Sequence, residues 1–153
     1  MRVYIASDHA GFELKEKIKN ELGKLSFEVK DFGPFSYDKD DDYPDFIRLV
    51  AEAVVNDPEH SRGIILGASG QGEAIVANRF KNVRAAVFYG ASNVSEIIKL
   101  SREHNNANVL SLGARFLNEE QAMSAVKLWL ETPFSGEERH IRRIRKIDES
   151  AII

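Results

Sequence analysis

The stretch Gly67-Ala68-Ser69-Gly70-Gln71-Gly72-Glu73 carries the strongest chemical signal in the sequence. Closely spaced glycines let a backbone fold tightly and aim several N–H groups at one point, where they can hold an anion. Glu73, directly after them, supplies the complementary group. A carboxylate base beside oxyanion-stabilising amides can take a proton from a carbon next to a carbonyl and hold the resulting enediolate. Each half also has a plainer cause. A glycine-rich turn equally serves close strand–helix packing, and glutamate in the first turn of a helix is favoured by the helix dipole. That dipole lowers a carboxyl pKa, whereas a useful base needs apolar burial to raise it. The turn does not fit G-x-G-x-x-G and no Walker lysine follows, so it is not a dinucleotide fingerprint or a P-loop.

Three further groups stand at places where a ligand can be met. Ser7-Asp8-His9-Ala10-Gly11 follows an apolar run, so Asp8 and His9 either cap a helix or face a crevice. Arg102-Glu103-His104-Asn105-Asn106 offers a His–Asn pair for acid/base work, or a helix C-terminus with a cationic His and an Asn cap. Arg115 follows another apolar run. Arg139, His140, Arg142, Arg143, Arg145 and Lys146 form a basic run in which Arg139 and Arg143, at i and i+4, share a helix face as a two-pronged phosphate clamp requires. A solvated helix face or a nucleic-acid contact would produce the same run, and nucleic acid is the weaker reading without interleaved aromatics. His60, in a polar link, is assigned no role.

These residues need elements to position them, and the hydrophobic periodicity supplies an alternation. Strands are expected at Val3 to Ala6, Phe27 to Val29, Gly63 to Leu66, Val83 to Tyr89 and Asn108 to Leu112. Ala10, Leu14, Ile18 and Leu22 recur every four residues as one helix, stopped by Gly23. Phe46, Leu49, Val50, Ala53 and Val54 mark a second helix, with an acidic loop from Asp31 to Pro44 before it. Further helices are expected from Glu73, over Val94 to Ser101, along Ala122, Val126, Trp129 and Leu130, and from about Gly136 through Ile141 and Ile144. Short links between alternating strands and helices predict a three-layer α/β/α fold, with a five-stranded parallel sheet and a C-terminal basic helix. Ligands in such sheets bind at the carboxyl ends of the strands.

The chain has 153 residues, the size of one domain, and no Cys, which excludes disulfides, thiolate nucleophiles and Cys-based metal sites. Its net charge of −3 gives no bulk attraction to nucleic acid or anionic membrane. No run approaches a membrane span and the N-terminus lacks a signal-peptide core, so a cytoplasmic protein is expected.

The pieces together resemble the type B ribose-5-phosphate isomerase family, which also includes the subunits of galactose-6-phosphate isomerase. The matching stretches are SDHAGFELK, DYPDF, GIILGASGQGEAIVANRF, REHNNANVLSLGAR and TPFSGEERHIRRIRKIDE, in the family's order over most of the chain. The resemblance implies one sugar-phosphate isomerase domain over 1–153, working without metal, nucleotide or other cofactor. It also implies a Rossmann-like fold and a homodimer, with a tetramer as the alternative, active sites shared between subunits, and no nucleic-acid or membrane partner. By the same resemblance Asp8 and His9 bind sugar and phosphate groups, and the amides of Ala68, Ser69, Gly70, Gln71 and Gly72 hold the enediolate, with Ser69 assisting. His104 opens the furanose ring, Asn105 contacts substrate, and Arg115, Arg139 and Arg143 bind phosphate, part of that set reaching across from the partner; His140 supports them.

Many family members carry a Cys base immediately before the glycine-rich turn, where this chain has Gly67. A second branch uses a Glu after the turn, which matches Glu73. The expected reaction is therefore interconversion of ribose 5-phosphate and ribulose 5-phosphate, with Glu73 as base and His104 as ring-opening acid/base. The segment FYGASNVSEIIKL is about four residues longer than is usual in the family, within ordinary loop tolerance. It borders the pocket, so a hexose 6-phosphate of allose or galactose type is the alternative substrate, and a non-catalytic sugar-phosphate binder is the other alternative.

Overall fold

Strands that alternate between two apolar faces need helices on both, and that requirement organises the chain. The computed structural model describes residues 1–90 and 93–149. The elements are β1 (Arg2–Ser7), α1 (Phe12–Lys24), β2 (Glu28–Asp31), α2 (Tyr43–Asn56), β3 (Ser61–Gly67), α3 (Gln71–Ala77), β4 (Ala85–Phe88), α4 (Val94–Glu103), β5 (Val109–Gly113), α5 (Glu119–Glu131) and α6 (Glu138–Glu149). The sheet runs β2-β1-β3-β5-β4, every pair parallel.

Successive residues of the central strands point to opposite faces, as the pleat requires. Val3, Ile5, Ile64, Leu66, Leu110 and Leu112 pack with Ile18, Leu22, Ile98, Val126 and Trp129, from α1, α4 and α5. Tyr4, Ala6, Ile65 and Val109 pack with Ile47, Val50, Ala51 and Val54 of α2 and Ala77 of α3. The expected α/β/α layering and five-stranded parallel sheet are what the chain forms. Helix α6 carries the basic run, with His140 as its buried residue.

Several boundaries differ from expectation. Ala10 lies in the turn before α1, not on its stripe, and α1 passes through Gly23 to Lys24. The left-handed residue that ends this helix is Ser26, at φ 65°, where the Phe27 N–H reaches back to the Leu22 carbonyl. The buried face of α2 centres on Ile47, Val50, Ala51 and Val54, with Phe46, Leu49 and Ala53 on its flanks. Strand β4 is shorter than Val83 to Tyr89, and α6 begins beyond Gly136. The turn from Gly90 to Asn93, which the longer segment enters, contains Ala91 and Ser92, outside the described residues.

Lys15 shares the buried face of α1 with Ile18 and Leu22, and its side chain is wholly buried. Its Nζ donates to both Asp31 oxygens, at 2.9 and 2.7 Å, and to the Pro34 carbonyl at 2.8 Å. Lys19 adds a second cation at Asp31. A buried ammonium is tolerable only when paired in this way, and here the pairing ties the start of the acidic loop to α1.

The centre of the sheet leaves no room under α2. A Cβ on Gly63 would lie 2.8 Å from Val50 Cγ1 and 3.0 Å from Val109 Cγ2. Gly63→Ala is therefore expected to destabilise the fold by about 1–3 kcal/mol through overpacking. Urea unfolding should show a lower midpoint with an unchanged slope.

Candidate active site

Three strand-to-helix turns converge at the carboxyl edge of the sheet. After β1, Asp8 Oδ1 accepts the N–H groups of Ala10, at 2.9 Å, and Gly11, at 3.1 Å. Asp8 thus closes its own turn rather than capping α1, whose N-cap is Gly11. It is nearly fully buried. His9 beside it is part-buried, with Nδ1 2.7 Å from Asp41 Oδ1.

After β3, the expected glycine-rich turn leads into α3, which starts at Gln71. Gly70 is its N-cap, at φ +77°, a conformation that suits glycine. The Gly70 carbonyl accepts from Ser111 Oγ at 2.6 Å. The Ala114 and Arg115 N–H groups donate to the Gly67 and Ala68 carbonyls, at 2.8 and 3.1 Å. The turn after β5 is thereby bonded to the turn after β3, and Ala68, Ser69, Gly70, Gln71 and Gly72 share this edge with Arg115. Ser69 Oγ accepts from the Gln71 N–H at 3.3 Å.

Gly67 decides where Glu73 sits. A Cβ added at Gly67 would lie 1.8 Å from Glu73 Oε1 and 2.1 Å from its Cδ. The carboxylate occupies the volume that any side chain at position 67 would need. Glu73 is 4% exposed. Burial raises its pKa above the ordinary value, the nearby Asp8 charge adds to this, and its own backbone N–H opposes it. The competition between dipole and burial left open by the sequence is thus resolved for burial, and α3 is too short to offer much dipole.

The remaining expected residues form a second group. His104 is the C-cap of α4, and its ring stacks on His140 at 4.2 Å and 15°. Asn106 takes φ 46°, so the helix-ending reading of this run also describes it. Asn105 is exposed beside His104. His140 is 2% exposed with Nε2 sealed from solvent, and its pKa is lowered by burial, then by His104, Arg139 and Arg143. Arg139 and Arg143 lie exposed on α6, Arg139 Nε donating to Glu137 Oε2 at 2.8 Å. Arg102, 3% exposed, bonds Thr132 O at 3.1 Å and Asn106 Oδ1 at 2.9 Å, tying the His104 turn to the link that leads into α6. Burial, with Arg62 and Arg84 nearby, holds its pKa down at about 10.

The two groups lie at opposite edges of the sheet. Glu73, Asp8, His9 and Arg115 follow strands, whereas His104 and Asn105 precede β5, and parallel strands put those ends on opposite sides. The Val109 to Gly113 run of β5 separates them by roughly 13 Å of strand alone. Each group is intact, and one chain does not bring them together.

Sequence reasoning missed Asp41 and Tyr43. Tyr43 packs on α3 where a Cβ on Gly72 would lie 2.8 Å from its ring. Asp41 was one of several acids in the loop, and the DYPDF stretch was the nearest signal to either. Among the described residues, Asp8, His9 and Asp41 are the one group of His and carboxylate side chains whose donor atoms lie within 4.8 Å of one another. Asp8 Oδ1 accepts from two backbone amides and Asp41 Oδ1 meets the backbone amide and ring of His9, so hydrogen bonds hold the group together.

Comparison with known proteins gives this geometry a context. A family model described as Ribose/Galactose Isomerase matches residues 3–147. Ribose-5-phosphate isomerase B of Mycolicibacterium paratuberculosis is 45% identical over 144 residues, 94% of this chain and 87% of that protein. The crystal structure of ribose-5-phosphate isomerase B from Mycoplasma genitalium with bound ribulose-5-phosphate superposes with a TM-score of 0.91 at 39% identity, covering 97% of this chain and 94% of that one. The Thermotoga maritima ribose 5-phosphate isomerase structure gives 0.88 at 44% identity, covering 97% of both chains.

The raised Glu73 pKa has a consequence for stability. An unfolded carboxyl ionises near its ordinary value and the folded one only at higher pH. The stabilisation is therefore complete below the unfolded pKa and lost as the pH rises through the folded one. Glu73→Gln cannot ionise, so at about pH 7 it is expected to unfold at a higher temperature than the wild type. The difference should close as the pH falls below the ordinary carboxyl value of 4.5, as followed by calorimetry at several pH values.

Proposed function

This chain belongs to the ribose/galactose isomerase family, and we propose that it is a cytoplasmic enzyme that interconverts ribose 5-phosphate and ribulose 5-phosphate through an enediolate. The observation that carries the reading is the buried Glu73 carboxylate packed on the Cα of Gly67, at the mouth of the glycine-rich turn. A carboxyl with a raised pKa is a better base towards a carbon acid than an ordinary one. Among the described residues no helix is long and apolar enough to cross a membrane.

Glu73 carries the proton between C2 and C1 of the opened sugar. The amides from Ala68 to Gly72, with Ser69, hold the negative oxygen that develops on the carbonyl, and Asp8 and His9 bind the substrate beside them. His104 opens the furanose ring and Asn105 contacts the sugar. Arg115, Arg139 and Arg143 grip the phosphate, so binding energy from the unreactive end fixes the reacting carbons against Glu73. The step balances when the proton of the C2 hydroxyl passes to the C1 oxygen as the carbonyl moves from C1 to C2.

The opposite placement of the two groups supports an active site completed by a second copy of the chain. His104, Asn105, Arg139 and Arg143 of one subunit then meet Glu73, Asp8, His9 and Arg115 of its partner. A two-fold pair makes two such sites, because an isologous interface repeats each cross-subunit contact.

The reading is tested with a coupled isomerase assay on ribose 5-phosphate beside allose 6-phosphate and galactose 6-phosphate. Turnover preferring the pentose is expected. Preference for a hexose would select the galactose side of the family's description, and no turnover on any of them would leave a sugar-phosphate binder. Glu73→Gln should keep substrate affinity and lose turnover by at least about 10²-fold; near-normal turnover would remove Glu73 from the reaction. Site sharing has its own test. Glu73→Gln and His104→Ala chains, each inactive alone, are unfolded together and refolded. The mixture should recover about a quarter of wild-type activity, the share of intact sites that random pairing of two-fold dimers leaves. No recovery would place both residues in one subunit's site.

A further inference from the structure

Asp41 reaches across the sheet edge to a residue 32 positions earlier. Its Oδ1 accepts the backbone N–H of His9 at 3.1 Å and lies 2.7 Å from the same residue's Nδ1. The Asp41 side chain is 7% exposed, and its Oδ2 is sealed from solvent with no partner of its own. A carboxylate in that state depends on the imidazole to offset the loss of water around it. The chain around it is held firmly. The Ser7 N–H donates to the Gly33 carbonyl at 2.9 Å, the Phe32 N–H to the Ile5 carbonyl at 2.8 Å, and the Lys15 ammonium pins Asp31 and Pro34. Tyr37 from the same loop sets its ring edge-on to His9, 6.2 Å away.

We propose that Asp41 is a positioning residue: by holding both the main-chain N–H and the Nδ1 of His9, it locks the imidazole so that a protonated Nε2 is the face presented to the anionic end of a sugar phosphate. The inference rests on the reading that His9 binds substrate. Carboxylate-bound Nδ1 carries its proton towards Asp41, which leaves Nε2 as the group for a ligand. When His9 is cationic, Nε2–H gives a charge-assisted bond to phosphate. The charged and titratable groups facing His9 come from three turns: Asp8 beside it, Asp41 and Tyr37 from the acidic loop, and Arg115 after β5. The His9 pKa is raised, chiefly by the hydrogen bond to Asp41; desolvation works against this, Asp8 favours it and Arg115 opposes it.

The test combines titration and kinetics on the full-length chain. His9 is assigned by comparing imidazole NMR spectra with those of His9→Gln, then titrated in the wild type and in Asp41→Asn. The wild-type midpoint is expected above 6.5 and should fall in the variant. With ribose 5-phosphate, at a pH between the two measured His9 midpoints, the KM of Asp41→Asn should rise by up to about tenfold while kcat changes far less, the size expected when one charge-assisted bond loses its charge. The KM gap should narrow below the lower of the two midpoints, where His9 is protonated in both proteins. Asp41→Glu should recover much of the wild-type KM and His9 midpoint. A wild-type midpoint at or below the ordinary imidazole value overturns the proposal. So does an Asp41→Asn variant whose midpoint stays put, or whose KM rises equally at every pH as a purely structural defect would produce. Should Asp41→Asn fail to fold, the wild-type midpoint and Asp41→Glu decide the question. Absence of turnover in the wild type counts against the isomerase reading, and the NMR arm, which needs no activity, still tests the Asp41–His9 pair.

Discussion

A carboxylate lying in space that another residue has left empty is the constraint around which this site is built. Glu73 packs against the Cα of Gly67 at the end of the central strand, so the two positions are coupled through volume alone. No side chain at 67 is compatible with the carboxylate where it lies, which means a base on the strand end and a base on the following helix exclude each other. The absence of Cys from the chain fits this arrangement. Burial in the same space keeps the carboxyl reluctant to ionise, and the stability lost to that burial is spent on making it a stronger proton acceptor.

The glycine-rich turn is held from outside as well as within. Ser111 bonds the Gly70 carbonyl, and the Ala114 and Arg115 amides bond the carbonyls of Gly67 and Ala68, so the turns after β3 and β5 act as one rigid piece. An oxyanion site gains from such preorganisation because its dipoles need not reorient as charge develops. The second group is braced with equal care. Arg102 joins the His104 turn to the link before α6, and the stacked His140 stands behind His104 with its own proton affinity depressed by burial. Two braced groups at opposite edges of a parallel sheet support the proposal that a second copy completes the site.

Much of this was readable along the chain. The alternation of apolar runs and amphipathic stripes announced the strands, helices and layers, and the closely spaced glycines announced the turn before α3. The misplaced boundaries came from local signals that tertiary contacts outweighed. Gly23 looked like a stop, yet the helix ends where Phe27 can reach back to Leu22, with Ser26 bearing the positive φ. Lys15, a cation on the buried face of α1, is tolerated there because Asp31 and Pro34 come to meet it. Asp41 stood in a run of acids that nothing local distinguished, and it matters because the loop returns to β1.

Residue types and their periodicity therefore sufficed for the α/β/α class and for the position of the glycine-rich turn before Glu73. They are properties of neighbouring residues, and neighbouring residues are governed by backbone geometry and burial on one face. What the folded chain alone settled were relations between distant segments: why position 67 tolerates only glycine, that burial prevails over the helix dipole at Glu73, that Asp41 grips His9, and that His104 stands at the far edge from Glu73. Each depends on how strands align and loops return through space. No short window of sequence encodes that, because the volumes and charges that meet there come from different parts of the chain.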